Sequence, residues 1–267
     1  MPSYEPNVIQ SMPSKTDPSK PPVLLVHGAW HGAWCWEGNF LDFFAEHGFD
    51  THAVDLRGHG ASAAVKPMRW NRISDYVDDV LSVADALESP PVVIGHSMGG
   101  YVVQHLLRRT ERLSGVGLLA TAPSYGVYKT TLNIIRRRPR DFLKANLSLS
   151  LYPLVKDAAA AKHMFFDDDL PDETALERAD RLTDESYMAF LDMLPFNIPR
   201  GPIPDVPVLV VGGGKDNVFA VNTQHHTAQK LGAECKIVAG ASHDIMLSKH
   251  WEEAAQHFLS WMGSASR

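Results

Sequence analysis

The chain has 267 residues, of which 45% are hydrophobic, and it carries a formal net charge of −6. This size and apolar content suffice for one large α/β domain with a full core, and the acidic balance argues against a nucleic-acid partner. Two cysteines, Cys35 and Cys235, cannot build a disulfide framework and fit a reducing compartment. No apolar stretch reaches the roughly 18 residues of a membrane span. Because the N-terminus lacks a basic-then-apolar signal, we expect a cytoplasmic protein.

The start of the chain differs in composition from the rest. Residues 1–21 are rich in Pro, Ser, Lys and Asp, which predicts a flexible N-terminal tail. Apolar runs at 22–26 and 51–54 predict the first two strands, with a helix over 37–47 between them. Each strand runs into a loop rich in glycine and histidine, and an amphipathic helix over 74–87 follows the second loop.

The most informative stretch surrounds Ser97. A short β-branched run at 91–94 precedes it, and a segment with helical spacing at 101–109 follows it. Gly95 and Gly99 flank the serine in a G-x-S-x-G pattern, which lets a strand and a helix pass closely around a sharp turn. Such a turn places the hydroxyl at a helix N-terminus, where negative charge is favoured. The pattern is typical of the nucleophile elbow of serine hydrolases.

The alternation of strands and helices stops between residues 124 and 200. This stretch reads as several short helices broken by prolines, and it is too long for a plain loop. We therefore expect a helical cap over 124–200, inserted between core segments at 22–123 and 201–267.

The last part of the chain returns to the alternating pattern. Strands are expected at 208–211 and 235–238, with helices at 221–231 and 248–262. Strands that alternate with helices predict a parallel sheet, here of about six strands, with helices on both faces. Ligands of such sheets bind beyond the carboxyl ends of the strands, and the glycine- and histidine-rich loops of this chain all lie there.

Two residues at those ends complement Ser97. A serine hydroxyl needs a base, and the base needs a third group to hold its tautomer. His243 follows the last strand and Asp216 follows the strand before it, in the order typical of acyl hydrolases on this architecture. We predict His243 as the base and Asp216 as its orienting carboxylate. Asp244 is the rival, but it adjoins the base in sequence and is expected to be a solvated or capping residue.

The oxyanion of an acyl transfer also needs two N–H donors. Met98, directly after the nucleophile, and Ala29, after His27 and Gly28, are the predicted donors, and His27 is expected to brace their loop. The substrate pocket is expected between sheet and cap. Its predicted wall consists of Trp30, His31, Trp70, Tyr125, Leu147, Phe165 and Phe166.

No cofactor or metal site is predicted. His225 and His226 are adjacent on a helix and point about 100° apart, which disfavours a shared metal ion. The glycine run at 212–214 lacks the spacing of a phosphate loop.

At these motifs the chain resembles the α/β-hydrolase superfamily, from residue 22 to residue 262. The resemblance rests on H-G-A-W at 27–30, D-L-R-G-H-G-x-S at 55–62, G-H-S-M-G-G at 95–100, G-G-x-x-x-D ending at Asp216, and G-x-S-H-D at 240–244. The doubled loop H-G-A-W-H-G-A-W-C-W is similar to the branch of plant methylesterases, hydroxynitrile lyases and bacterial carboxylesterases. The lyases of that branch place threonine after the loop histidine and lysine after the catalytic histidine. This chain has Gly28 and Asp244 there, so the resemblance implies hydrolysis.

The sequence thus predicts a serine esterase that cleaves small-to-medium hydrophobic carboxylic esters through an acyl-enzyme, with water as the second substrate. Three alternatives use the same triad: a lyase, a carbon–carbon bond hydrolase and a cofactor-free haloperoxidase. A fourth is a non-enzymatic ligand receptor on the same fold. The sequence also leaves a homodimer open.

Overall fold

A seven-stranded sheet forms the centre of the protein in a computed structural model that describes residues 4–14 and 17–265. The strand order is β1-β3-β2-β4-β5-β6-β7. All strands after β1 are parallel, while β1 pairs antiparallel with β3. The strands are β1 Val8–Ser11, β2 Val23–Val26, β3 Thr51–Val54, β4 Val92–His96, β5 Gly115–Leu119, β6 Val208–Gly213 and β7 Glu234–Val238. The predicted parallel α/β sheet is therefore confirmed.

Helices cover both faces of the sheet. They are α1 Phe40–Glu46, α2 Ile73–Ala86, α3 Met98–Leu106, α4 Tyr128–Arg137, α5 Pro139–Ser148, α6 Ala158–Phe165, α7 Asp172–Asp180, α8 Tyr187–Asp192, α9 Val221–Leu231 and α10 Trp251–Ala265. Side chains alternate along β2: Leu24 and Val26 join an apolar cluster with α2, α3 and α9, and Val23 and Leu25 join one with α1 and α10. Burial on both faces explains why the strands read as continuous apolar runs.

Strand β1 corrects the expectation of a flexible tail over residues 1–21. Val8 and Ile9 pack against the apolar clusters on the two faces of the sheet, and the strand covers the edge of β3. Four residues among prolines and serines are too few to show a strand period, which is why composition alone misleads here. Residues 1–3 and 15–16 of the predicted tail lie outside the described residues.

Helices α4 to α8 lie between β5 and β6, in the stretch for which the sequence predicts a cap. We call residues 124–200 the cap. Its helices share a small apolar core of their own, which includes Leu154, Phe165 and Ala175. Phe190 of α8 packs both against this core and against the apolar cluster that includes Leu24 and Val26. We call the described residues outside the cap the sheet domain, and apolar contact therefore joins the cap to it.

Within the described residues, no helix combines the length and the apolar character needed to cross a bilayer.

Candidate active site

Ser97 occupies the sharp turn between β4 and α3. Its backbone has φ 51° and ψ −115°, a region that costs energy for a residue with a side chain. The flanking glycines make the turn sterically feasible, because a Cβ on Gly95 would lie 2.5 Å from the carbonyl oxygen of Gly99, and one on Gly99 would lie 2.5 Å from that of Val26. The turn has the form that the G-x-S-x-G pattern predicts.

The three side chains predicted from separate loops form one hydrogen-bonded chain. The Oγ of Ser97 lies 2.9 Å from Nε2 of His243, and Nδ1 of His243 lies 2.9 Å from Oδ2 of Asp216. The other carboxylate oxygen accepts the N–H groups of Val218 and Phe219 at 2.7 and 2.8 Å. A carboxylate held in this way accepts the Nδ1 proton of the imidazole, which leaves Nε2 free to accept a proton from the serine.

The two residues predicted as oxyanion donors lie at the same cavity as the serine. Ala29 and Met98 both line it together with Ser97. Within residues 4–14 and 17–265, neither N–H donates to a protein acceptor. The loop before Ala29 packs directly on Ser97, since a Cβ on Gly28 would lie 3.0 Å from Cβ of Ser97. The pair is therefore available for a negatively charged oxygen next to the serine.

The cavity above Ser97 lies between the sheet domain and the cap, with a volume of about 70 Å³. No Asp, Glu, Lys or Arg side chain of the described chain lines it. The two threonines in its wall use their hydroxyls on carbonyl groups: Thr130 donates to Val218 and Thr131 donates to Val127, at 3.2 and 3.0 Å. The wall thus suits an uncharged apolar group.

Of the residues predicted for this wall, Trp30 and Phe165 line the cavity. The Phe165 ring also packs on the His243 ring, with centroids 5.9 Å apart. The larger side chains that sequence reasoning missed include Ile134, Met164, Phe190, Met193, Val218 and Phe219. For three of them the sequence holds a local signal. Phe190 and Met193 are three residues apart at the end of α8, the spacing of one helix face, and Phe219 follows Asp216 by three residues.

The other predicted wall residues do not line the cavity, and this part of the prediction is wrong. Leu147 is 78% exposed, because α5 turns Ala145 and not Leu147 toward the cap core. Trp70 is 50% exposed. Tyr125 packs against Tyr128 and His226. The remaining two are buried in other contacts: Phe166 beneath the guanidinium of Arg178, and His31 against Asp244.

The prediction that Asp244 is a solvated or capping residue is also wrong, because the residue is fully buried. Its Oδ2 lies 2.9 Å from Nε2 of His31. Burial alone would lower the pKa of His31, but the Asp244 carboxylate outweighs it and raises that pKa. Burial would likewise raise the pKa of Asp244, yet the charge of His31 and its hydrogen bond lower it. The two residues therefore form a buried ion pair next to His243.

His96, the residue before the serine, packs on the other side of this histidine. Burial, together with the nearby His243, lowers the pKa of His96 to about 3, so its ring is neutral. Its Nε2 lies 3.1 Å from the carbonyl oxygen of His243 and donates to it. His96 therefore fixes the backbone of the loop that carries His243.

His96, His243 and Asp244 form the one group of potential metal ligands found in the described part of the chain, with donor atoms within 4.8 Å of one another. Both ring nitrogens of His243 already bond Ser97 and Asp216. A metal ion here would have to separate His243 from its two hydrogen-bond partners, so the group suits hydrogen bonding better than coordination.

Known proteins match this architecture. The chain is 27% identical over 217 residues to the pimeloyl-[acyl-carrier protein] methyl ester esterase of Nitrosospira multiformis, covering 73% of this chain and 77% of that protein. It is 32% identical over 101 residues to methyl jasmonate esterase 1 of Vitis vinifera, covering 37% and 38%. The crystal structure of the Paleococcus ferrophilus monoacylglycerol lipase has the same fold, with a TM-score of 0.72 at 21% identity, covering 98% of this chain and 99% of that one.

The chain spans less than two fifths of the length of several curated relatives that it matches. The family model described as "Alpha/beta hydrolase family" matches residues 23–257, which is most of the chain. This span contains strands β2 to β7, the cap and every residue of the site described above. The chain therefore belongs to the alpha/beta hydrolase family.

Proposed function

We propose that the chain is a serine hydrolase that cleaves carboxylic esters through an acyl-enzyme. The observation that carries the proposal is the hydrogen-bonded chain from Asp216 through His243 to Ser97. Beside it lie the backbone N–H groups of Ala29 and Met98, which have no protein acceptor among the described residues. Nucleophile, base, orienting carboxylate and oxyanion donors are the parts that acyl transfer requires.

The reaction follows from this geometry. The Oγ of Ser97 attacks the ester carbonyl carbon while its proton passes to Nε2 of His243, and the N–H groups of Ala29 and Met98 bind the oxyanion. The imidazolium then gives that proton to the oxygen of the leaving alcohol as the ester C–O bond breaks. Water attacks the acyl-enzyme, again with His243 as base, and the acid and free Ser97 are released. Asp216 stabilises the imidazolium in both halves of the reaction.

The cavity supports an uncharged substrate of limited size. Its wall is apolar and holds no charged group among the described residues, and burying an unpaired charge there would be costly. Two of the relatives named above are methyl ester esterases or jasmonate esterases by name, which favours an ester with a small alcohol portion. We therefore infer a small-to-medium hydrophobic ester as the substrate class.

The test compares hydrolysis of p-nitrophenyl butyrate by the wild-type chain and by Ser97→Ala. Removal of the nucleophile is expected to lower kcat by at least about 10⁴-fold. Ser82→Ala is the matched control, because Ser82 is exposed on α2 and its hydroxyl donates to the carbonyl of Asp79 in the same helix. A Ser97→Ala rate within about tenfold of the wild-type rate would refute the assignment.

A second measurement separates the alternatives that share the triad. Labelling of Ser97 by a fluorophosphonate reports a reactive serine independently of any ester. Labelling without turnover of any ester would favour a ligand receptor, and cleavage of cyanohydrins or halogenation with peroxide would favour a lyase or a haloperoxidase. Hydrolysis of simple esters with loss of both signals in Ser97→Ala supports the esterase.

A further inference from the structure

The loop that carries the oxyanion donor Ala29, residues 27–31, is held at three successive carbonyl groups, those of Gly28, Ala29 and Trp30. The N–H of Leu56 donates to Nε2 of His27 at 3.1 Å, so the ring proton of His27 sits on Nδ1 and is donated to the carbonyl of Gly28 at 2.8 Å. His31 holds the next carbonyl in the same manner, with Nδ1 2.8 Å from the oxygen of Ala29.

The third carbonyl is held by the cap. The backbone N–H of Thr183 donates to the carbonyl of Trp30 at 2.9 Å. Two residues further along the cap, Oε2 of Glu185 accepts the N–H of Trp30 at 3.4 Å. Because the C=O and N–H of a trans peptide point in opposite directions, the peptide between Ala29 and Trp30 is gripped at both ends, by His31 on one side and by Glu185 on the other.

This grip acts on a strained conformation. Trp30 has φ 66°, in the left-handed region that costs a residue with a side chain of the order of 1 kcal/mol or more. Such a conformation persists only when its surroundings enforce it. Here part of the enforcement comes from outside the sheet domain, through Thr183 and Glu185.

Glu185 is built to hold a negative charge in the interior. It is fully buried, and besides Trp30 it accepts from the hydroxyl of Tyr76 at 2.7 Å and from the N–H of Ser186 at 2.6 Å. Nε2 of His59 lies 3.1 Å from its Oε2. All of these neighbours are donors, so the site matches a carboxylate and does not match a neutral amide.

The charges of this cluster agree with that reading. Burial alone would raise the pKa of Glu185, but His59 and the surrounding donors lower it. Burial would lower the pKa of His59, and Glu185 reverses this and raises it. His27, whose ring centroid lies 5.0 Å from that of His59, is neutral, because burial and the His59 charge lower its pKa to about 3.

We propose that Glu185 is a positioning residue for the oxyanion hole: by holding the Trp30 N–H from the docked cap, it keeps the preceding Ala29 N–H aimed at the substrate oxyanion. The inference rests on the proposed esterase function. It makes assembly of the oxyanion hole depend on a carboxylate that lies in the cap and touches neither substrate nor nucleophile.

The test is Glu185→Gln, which keeps the shape and removes the charge. The amide can satisfy Tyr76 and Ser186 with its oxygen, but its NH₂ group then faces the N–H of Trp30. We expect kcat for p-nitrophenyl butyrate to fall roughly 10- to 100-fold, less than the loss of a whole oxyanion donor, with KM within about threefold of wild type. Affinity for a phenylboronic acid, whose tetrahedral adduct uses the hole, should fall in parallel with kcat.

Asp192→Asn is the matched control. Asp192 is also a buried carboxylate of the cap, and it bonds Arg72 and the N–H of Ile73 without touching residues 27–31. We expect it to lower the thermal midpoint as Glu185→Gln does while leaving kcat within about twofold. Glu185→Asp, which restores the charge on a shorter side chain, should recover part of the lost kcat.

Three results would overturn the proposal. The first is Glu185→Gln with a lowered thermal midpoint and unchanged kcat, which would make the residue purely structural. The second is a rise in KM at constant kcat, which would mean that the residue shapes the pocket. The third is an equal loss of kcat in Asp192→Asn, which would assign the effect to cap docking in general. Failure of the esterase proposal itself is distinguishable, because the wild-type chain would then hydrolyse no ester.

Discussion

The sheet domain and the cap face the same cavity, but they contribute to it in different ways. The sheet domain supplies Ser97, Asp216 and His243 from the ends of three parallel strands, with hydrogen bonds of 2.9 Å between them. The cap supplies apolar side chains such as Ile134 and Phe190 from helices. In the proposed function, the reacting groups therefore lie where the strand ends fix the backbone geometry, and the substrate contacts lie where side-chain packing decides which residue points inward.

Asp216→Asn probes the sheet side of this contrast and should have the largest effect. An amide in place of Oδ2 can donate to Nδ1 of His243, which stabilises the wrong tautomer of the base. We expect kcat to fall by about 10³- to 10⁴-fold with little change in KM. Asp205→Asn, before β6 at the opposite end of the same strand, is the control and should retain wild-type kinetics. Equal losses in the two variants would argue against a specific role for Asp216.

Phe190→Ala probes the cap side and should have an intermediate effect. Removing the ring enlarges the cavity, so the preferred acyl chain should lengthen by one or more methylene groups. One methylene in an apolar pocket changes kcat/KM by about 10-fold or more, which a series of p-nitrophenyl esters from acetate to octanoate would measure. Leu147→Ala, on the exposed side of α5, should leave the series unchanged. An unaltered chain-length profile in Phe190→Ala would mean that the acyl group does not bind beside the cap.

The buried pair His59–Glu185 joins the two regions, and its pH dependence should be the smallest of these effects. The pKa of His59 is raised above its ordinary 6.5, so its contribution to stability is complete below pH 6.5 and disappears as the pH rises through the raised value. The pKa of Glu185 is lowered below 4.5, so its contribution is complete above pH 4.5 and disappears as the pH falls through the lowered value. Among the described residues, the titratable groups close to the pair include His27, His31, Asp55 and Tyr76.

The difference in thermal midpoint between the wild type and Glu185→Gln should therefore be largest between pH 4.5 and 6.5 and should shrink at higher pH. Calorimetry of both variants across this range measures it. A difference that stays constant from pH 5 to pH 9 would contradict a charged pair between the cap and the sheet domain.

The same contrast explains what could be predicted from the sequence. The motif around Ser97 is recognisable in the sequence because any side chain at Gly95 or Gly99 would clash with the backbone. The residues that accompany it can be found because the strand ends of a parallel sheet meet at one edge. Within the cap, Phe165 lines the cavity and Phe166 packs under Arg178. Adjacent residues of similar chemistry diverge there, so composition cannot rank them.

The buried ion pairs of Asp244 and Glu185 could not be predicted from the sequence for a related reason. In sequence each is one acid among 31 acidic residues, and most acids lie in solvent. Their burial depends on partners that are distant in the chain, His31 for one and His59 for the other. Pairs of this kind emerge only when the loops are assembled in space.

The short strand β1 affects where the protein can be trimmed for expression. Its neighbour Asn7 accepts the N–H of Asp55 and donates to its carboxylate, both at 2.9 Å. That carboxylate in turn accepts the N–H groups of Ala33 and Ala61 at 2.6 and 2.9 Å. A fragment starting at residue 22 would expose the unpaired backbone edge of β3, which favours self-association. It would also weaken the support of the loops that contain Ala33 and Ala61. The proline- and serine-rich segment before β2, which looks dispensable from its composition, should therefore be kept in a recombinant version of the protein.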